Sequence, residues 1–384
     1  KYVMSETGVA ASPHDAWQPP HRTALPPPPP RHSRGARGIS CQVGGLYADQ
    51  EAVIVARGAM EEELMAGAVR GPLEAHVAKV KGVGASGGFG AKPKGSKGKA
   101  DGKVLAAEGK SHAAVLKKEG VVRIDNVLSA GTADLVRDYA MALREDALRE
   151  VEAGSIGQIY RFADVLLKTN RCDLLMPIGA DAVHAALDEV ICRSAIAPTI
   201  KTLLGDDAPL YELSCLISDP GSQRQTVHPD TPYGALGGLS ADEPVLYTCF
   251  IALQDISLDM GPTVWLPGSN TAESHGRFGD HDGPKDELLR STPSVLGTLP
   301  KGCCAIFDSR TLHCGTANRS EAGISRALFY VSFKNPKIGS PGNPGSIRPE
   351  LINKLTLKGL RAALAELKTK GKSEVLEEMA SSLH

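Results

Sequence analysis

From about residue 210 the chain stops reading as helix and breaks into seven short strand-like runs. They lie at 210–218, 225–230, 245–254, 263–266, 295–299, 303–307 and 326–333, parted by Gly, Pro, Asp and Asn. Strands this short and this close together must share one core, and a barrel or sandwich is the economical way to close them. Helical patterns precede the run. Val104–Lys118 and Ser129–Glu150 read as helices, the second capped by Ser129, and Val121–Ile124 reads as a short strand between them. Ala180–Leu204 reads as one long helix stopped by Gly205. Charged helices return from 349 to 383, with Leu351, Leu355, Leu357, Leu360, Leu364 and Leu367 spaced to pack on the barrel or a partner. The expected class is α+β, a barrel flanked by N- and C-terminal helices.

The first hundred residues differ in kind. Residues 1–46 hold the pentaproline run Pro26–Pro30 among arginines, a composition for polyproline II or a disordered tail, with an organellar transit segment as the alternative. Residues 49–70 suit a helix, and Lys79–Lys103 is a Gly/Lys/Ser/Ala linker. The chain thus divides into an N-terminal extension over 1–103, a folded domain over 104–340 and a helical extension over 341–384.

A formal charge of −1 argues against a nucleic-acid partner, and no stretch reaches the roughly 18 apolar residues of a membrane span. No signal-peptide hydrophobic region is present. The eight cysteines form no C-x-x-C pair and sit mostly in apolar runs, as buried thiols of a reducing compartment do. These features describe a soluble intracellular protein, cytoplasmic or organellar, acting on a small molecule.

Chemistry concentrates at Thr226-Val227-His228-Pro229-Asp230 and at Leu312-His313-Cys314-Gly315. In an extended segment His228 and Asp230, two apart, share a face. His313 completes two imidazoles and one carboxylate, the facial set of non-haem Fe(II) oxygenases. Most other histidines fall in the tail or on helices. His275 and His281 lie in a polar, flexible-looking loop and could serve a different metal scheme.

Arg326 opens Arg326-Ala327-Leu328-Phe329-Tyr330-Val331-Ser332-Phe333, a strand apolar on both faces. A buried guanidinium needs a carboxylate. Either a distant Asp or Glu supplies it, or a bound dicarboxylate does, held by two parallel hydrogen bonds. Val245–Leu253 offers two alternating rows, Tyr247/Cys249/Ile251/Leu253 and Leu246/Thr248/Phe250/Ala252, one of which must face the interior.

On His228-Pro229-Asp230, the segment Met260–Ser269, Phe307-Asp308-Ser309-Arg310-Thr311-Leu312-His313, Asn318 and Arg326, the chain from about 110 to 336 resembles the phytanoyl-CoA dioxygenase family of Fe(II)/2-oxoglutarate-dependent oxygenases. The resemblance implies a double-stranded β-helix, the jelly-roll or cupin-like barrel, with iron at one open end. It implies His228, Asp230 and His313 as iron ligands and Arg326 as partner of the distal carboxylate of 2-oxoglutarate. By the same resemblance, the position of Phe250 is similar to that of an aromatic beside the co-substrate in relatives, and Gln225 and Asn318 are expected to add polar contacts. It implies a reaction in which O2 and 2-oxoglutarate yield succinate, CO2 and a hydroxylated or desaturated metabolite. The segments 153–178 and Asn270–Ser294 are the expected lid and specificity surface. The alternatives are a Zn or Mn hydrolase or isomerase on the same triad, and a silent barrel that binds a ligand or partner.

Overall fold

The computed structural model describes residues 55–76, 98–163, 170–234, 236–279, 283–339, 341 and 346–370. The polyproline tail, most of the Gly/Lys linker and the last expected helical turns lie outside them.

Among the described residues ten strands form two sheets. The larger has the order β2-β8-β5-β10-β4-β3, the smaller β1-β7-β6-β9. Their ranges are β1 Val69–Pro72, β2 Val121–Ile124, β3 Arg171–Leu175, β4 Leu210–Ser218, β5 Leu246–Ala252, β6 Thr263–Trp265, β7 Ser294–Leu296, β8 Cys304–Asp308, β9 His313–Gly315 and β10 Arg326–Lys334. Among the described residues the β1–β7 pair is parallel and the other strand pairs are antiparallel. The two sheets face each other as a jelly roll, the barrel the sequence called for.

Alternation decides the faces. Leu213, Cys215, Ile217, Cys249, Ile251, Ile306, Phe329, Val331 and Phe333 point outward from the large sheet into the main core, against α2 (Gly98–Glu119), α3 (Ala130–Glu152), α5 (Ile196–Leu204) and α8 (Leu357–Lys370). Each large apolar side chain buried there contributes about 1.5–3 kcal/mol relative to exposure. Of the two rows on β5, Phe250 and Ala252 face the barrel interior. There they meet Ala305, Phe307, Leu328, Tyr330 and, from the small sheet, Trp265.

Local chemistry sets the element ends. Ser129 takes an extended conformation and its hydroxyl accepts the Thr132 N–H, capping α3 as expected. The long helix expected over Ala180–Leu204 is instead α4 (Asp181–Leu187), a π-helical turn (Asp188–Arg193) and α5. Ser194 breaks it: its hydroxyl donates to Val190 O and accepts from Ile196 N, satisfying the backbone locally. Pro198 then falls in the first turn of α5, where its missing N–H costs nothing.

Three further expectations change. Residues 225–230 are not a continuous strand; the segment is tied to β9 at Gln225 and through the His228–His313 bridge, and Pro229 cannot continue the ladder. Arg171–Leu175, placed with the lid in the sequence reading, is a buried strand paired with β4, hidden because its charged residues face inward. The loop expected to be flexible near His275 carries α6 (Ala272–Gly279) and α7 (Pro284–Ser291), and His275 itself accepts from Tyr233 N–H and meets Arg310 O.

The N-terminal segment joins the barrel. A helix over residues 55–65, α1, leads through a 3-10 turn into β1 at the edge of the small sheet. Just beyond, Ala75 bridges Arg123 of β2, the edge of the large sheet. One extended segment therefore reaches edges of both sheets, and its Leu73 and His76 N–H groups donate to Leu296 O and Arg123 O, carbonyls that would otherwise be bare.

Candidate metal centre

Register lays the interior of the large sheet out in rows. Arg171 of β3, Ser218 of β4 and Arg326 of β10 stand opposite one another. The next row is Asp173, Leu216, Leu328 and Ala252. Then come Ser214, Tyr330, Phe250 and Ala305, and last Glu212, Ser332, Thr248 and Phe307. Cations mark one end. The His313 side chain marks the other, because its ring lies 4.9 Å from the ring of Phe307.

There His228, Asp230 and His313 converge, with one ligand atom of each lying within 4.8 Å of the others. Asp230 Oδ1 is 3.9 Å from His228 Nε2 and 3.6 Å from His313 Nε2. Backbone carbonyls fix the rings: His228 Nδ1 is 2.8 Å from Thr226 O, and His313 Nδ1 is 2.9 Å from Thr311 O. A carbonyl only accepts, so each Nδ1 carries a proton, and in the neutral ring the lone pair is then left on Nε2, the nitrogen that faces Asp230. That is the tautomer a metal requires, held by the partners that usually orient ligating histidines. The His228 and Asp230 side chains are each 35% exposed while His313 is buried, so the group is open on one side. The donor set fits a divalent first-row metal with positions to spare.

At the cationic end Arg326 is fully buried. Its Nη1 donates to Gly261 O, its Nη2 to Ser218 Oγ at 3.1 Å, and its Nε has no partner. Burial, then the charge of Arg171, pulls its pKa down to about 9. Arg171 is buried too, donating to Gln223 O at 3.1 Å and Thr316 O at 3.4 Å, and burial lowers its pKa to about 10. Neither forms an ion pair with a carboxylate among the described residues. Two like charges buried in one row without an acid is a costly arrangement unless an anion joins them. The distant Asp or Glu left open by the sequence is absent among the described residues, and a dicarboxylate fits.

The remaining expected residues divide. Phe250 stands in the interior wall, edge-on to Phe307 at 5.0 Å and Tyr330 at 5.5 Å. Gln225 accepts the Gly315 N–H at 2.8 Å; a Cβ at Gly315 would stand 2.7 Å from Gln225 Oε1 and 3.1 Å from Arg171 Nη1, which explains the glycine. Asn318 spends its amide on backbone, donating to Ser218 O and Ile324 O and accepting from Ser320 N, which steadies the Arg326 end.

Sequence reasoning missed Arg171, whose only signal was a charged alternation, Arg-Cys-Asp-Leu-Leu, read as a loop. It also missed Glu212. Burial pushes the Glu212 carboxyl up to about 8, Asp230's charge adding to the effect, while Ser332 and Thr248 hydrogen-bond to it. Asp173 is pushed up to about 6 by burial, against the hydrogen bond Tyr330 donates to it.

The chain is thus a jelly roll with two imidazoles and a carboxylate gathered at one end, a donor set able to hold a metal, and with two buried guanidiniums in its interior that meet no carboxylate among the described residues. The chain belongs to the phytanoyl-CoA dioxygenase family, whose pattern (PhyH) it matches over residues 116–327, more than half its length. It is also 28% identical over 112 residues to Dioxygenase aneA of Aspergillus aculeatus (strain ATCC 16872 / CBS 172.66 / WB 5094), a match covering 28% of this chain and 35% of that protein. The chain thus spans about a third of the length of the curated relative it matches. Among solved structures it is similar to the non-heme alpha ketoglutarate dependent epimerase SnoN from nogalamycin biosynthesis, at 20% identity and TM-score 0.43 over 63% of this chain and 95% of that one. It is similar as well to EctD from S. alaskensis with bound Fe, at 17% identity and TM-score 0.43 over 65% and 85%.

Proposed function

We propose that the protein is a dioxygenase that hydroxylates or desaturates a small organic or lipid-like metabolite, consuming 2-oxoglutarate and O2 and releasing succinate and CO2. The observation that carries the reading is the pair of buried guanidiniums, Arg171 and Arg326, without a carboxylate, in the interior that ends at His228, Asp230 and His313.

In this reading His228 Nε2, His313 Nε2 and an Asp230 oxygen hold the iron, and Arg326 holds the distal carboxylate of 2-oxoglutarate with Arg171 beside it. Iron with 2-oxoglutarate and O2 supplies the oxidising chemistry when bound. The chain supplies orientation and shielding: Phe250, Phe307 and Trp265 keep water from the interior wall. No side-chain base is needed. The oxygenase domain takes in 104–340, with 1–103 and 341–384 as extensions, and the packing of residues 55–75 on the barrel supports counting that segment with the domain. No helix of the described residues is long and apolar enough to cross a membrane. The described cysteines are free thiols, which supports a reducing compartment.

Anaerobic binding of Fe(II) and 2-oxoglutarate, followed by succinate release against a metabolite panel, tests the reading. Asp230→Ala is expected to abolish product formation. Succinate release unchanged in that variant rejects the assignment.

A further inference from the structure

The segment 224–228 that carries His228 runs along the free edge of β9. Gln225 N donates to Gly315 O at 2.8 Å, and His228 and His313 exchange N–H···O bonds of 2.9 Å each. Val227, between them, directs its N–H away from β9, where an edge strand ordinarily meets water. Here it meets Glu61. Glu61 Oε2 accepts the Val227 N–H at 2.6 Å, and the glutamate is fully buried. Its other oxygen, Oε1, lies 3.1 Å from Lys285 Nζ and 3.4 Å from Arg57 Nε, so the buried charge is balanced.

A second set of contacts serves the same place. Met65, one turn along α1, packs with Val227, Leu312 and Cys314. Val227 precedes one metal-centre histidine, and Leu312 and Cys314 flank the other. At Gly58 a Cβ would stand 3.3 Å from Arg224 O, and Arg224 Nη2 lies 3.5 Å from Met65 Sδ. The helix is seated on the residues beside both histidines. It lies wholly outside the stretch that matches the family, which begins at residue 116.

We propose that Glu61 is a positioning residue for the metal centre: its carboxylate fixes the Val227 peptide and so the place of His228, making α1 of the N-terminal segment part of the site. The inference rests on the metal-centre reading above. Outer partners of a metal ligand typically govern about 10–100-fold in affinity, because they hold the ligand in place before the ion arrives.

The test is anaerobic titration of the full chain with Co(II) as the probe ion, read by its visible spectrum and by calorimetry. Glu61→Ala is expected to weaken Co(II) binding by about 10–100-fold, and Glu61→Gln, which keeps the acceptor, to stay close to the parent. Parental affinity in Glu61→Ala, even with a lowered melting temperature, overturns the proposal, as does Glu61→Gln losing as much as Glu61→Ala. Should the alanine variant fail to fold, Glu61→Asp, one methylene short of Val227, takes its place and must weaken binding by severalfold; parental affinity there overturns the idea equally. Asp230→Ala separates the two readings. If it too binds Co(II) like the parent, the metal-centre reading fails; if it loses binding while Glu61→Ala does not, only the positioning role fails.

Discussion

Arg171 and Arg326 are the residues whose surroundings say most about chemistry. Each guanidinium is buried, hydrogen-bonded to backbone or hydroxyl oxygens, and depressed in pKa by its burial. A residue kept in that state without an acid has a cost in the ligand-free protein that a bound anion repays. Arg171→Met therefore carries a double signature. The apo-protein is expected to melt no lower than the parent, since a buried unpaired charge is gone. The 2-oxoglutarate KM should rise about 10–100-fold, the worth of a charge-assisted hydrogen bond of about 1.5–3 kcal/mol. Succinate release against 2-oxoglutarate concentration checks this, and an unchanged KM would remove Arg171 from the co-substrate site. Sequence inspection found Arg326 because its strand is apolar on both faces. It passed over Arg171 because Asp173 follows two residues later and makes the segment look like surface.

At the scale of elements, the turn before β6 holds the Arg326 end together. Gly261 ends the 3-10 turn Leu258–Met260 with φ +72°, and its carbonyl accepts from Arg326. A Cβ there would stand 2.6 Å from Thr316 O and 2.7 Å from the Ala317 carbonyl carbon, backbone atoms with little room to move. Gly261→Ala is expected to lower stability by at least about 1–2 kcal/mol and to raise the 2-oxoglutarate KM by displacing the Arg326 acceptor. Urea unfolding with kinetics on the same samples measures both, and a variant equal to the parent in both would show that the turn relaxes freely. Turn chemistry of this kind was legible, since Met-Gly-Pro brackets a strand in any reading. The helix break at Ser194 was not. It depends on a serine choosing backbone partners within two to four residues, which propensity alone does not decide.

For the whole molecule, stability and pH are linked through the polar interior. Asp173 is buried, and its carboxyl is raised from 3.8 to about 6. The folded state keeps its proton where the unfolded chain has lost it, so this group lowers stability as pH rises from about 4 to about 6, and the loss is complete above that window. Asp173→Asn keeps an acceptor for Tyr330 and removes the titration. The variant's advantage over the parent in urea unfolding is expected to grow across that window and then level off, on the order of 3 kcal/mol at most for a shift of about two units. A difference that does not vary with pH would reject the linkage.

The amino-acid sequence by itself determined the barrel and its helical flanks, and it picked out the three side chains, His228, Asp230 and His313, that the fold brings together. Period-two patterning and the His228–Asp230 spacing are local properties, and local properties survive in one dimension. Only the tertiary structure decided that Arg171 stands opposite Ser218 and Arg326, that Glu212 faces the Asp230 end of the barrel, and that Glu61 reaches Val227. Those pairings join residues as much as 166 positions apart. They follow from strand register and from which edge α1 covers, and the folded core sets both by burying one face of each element.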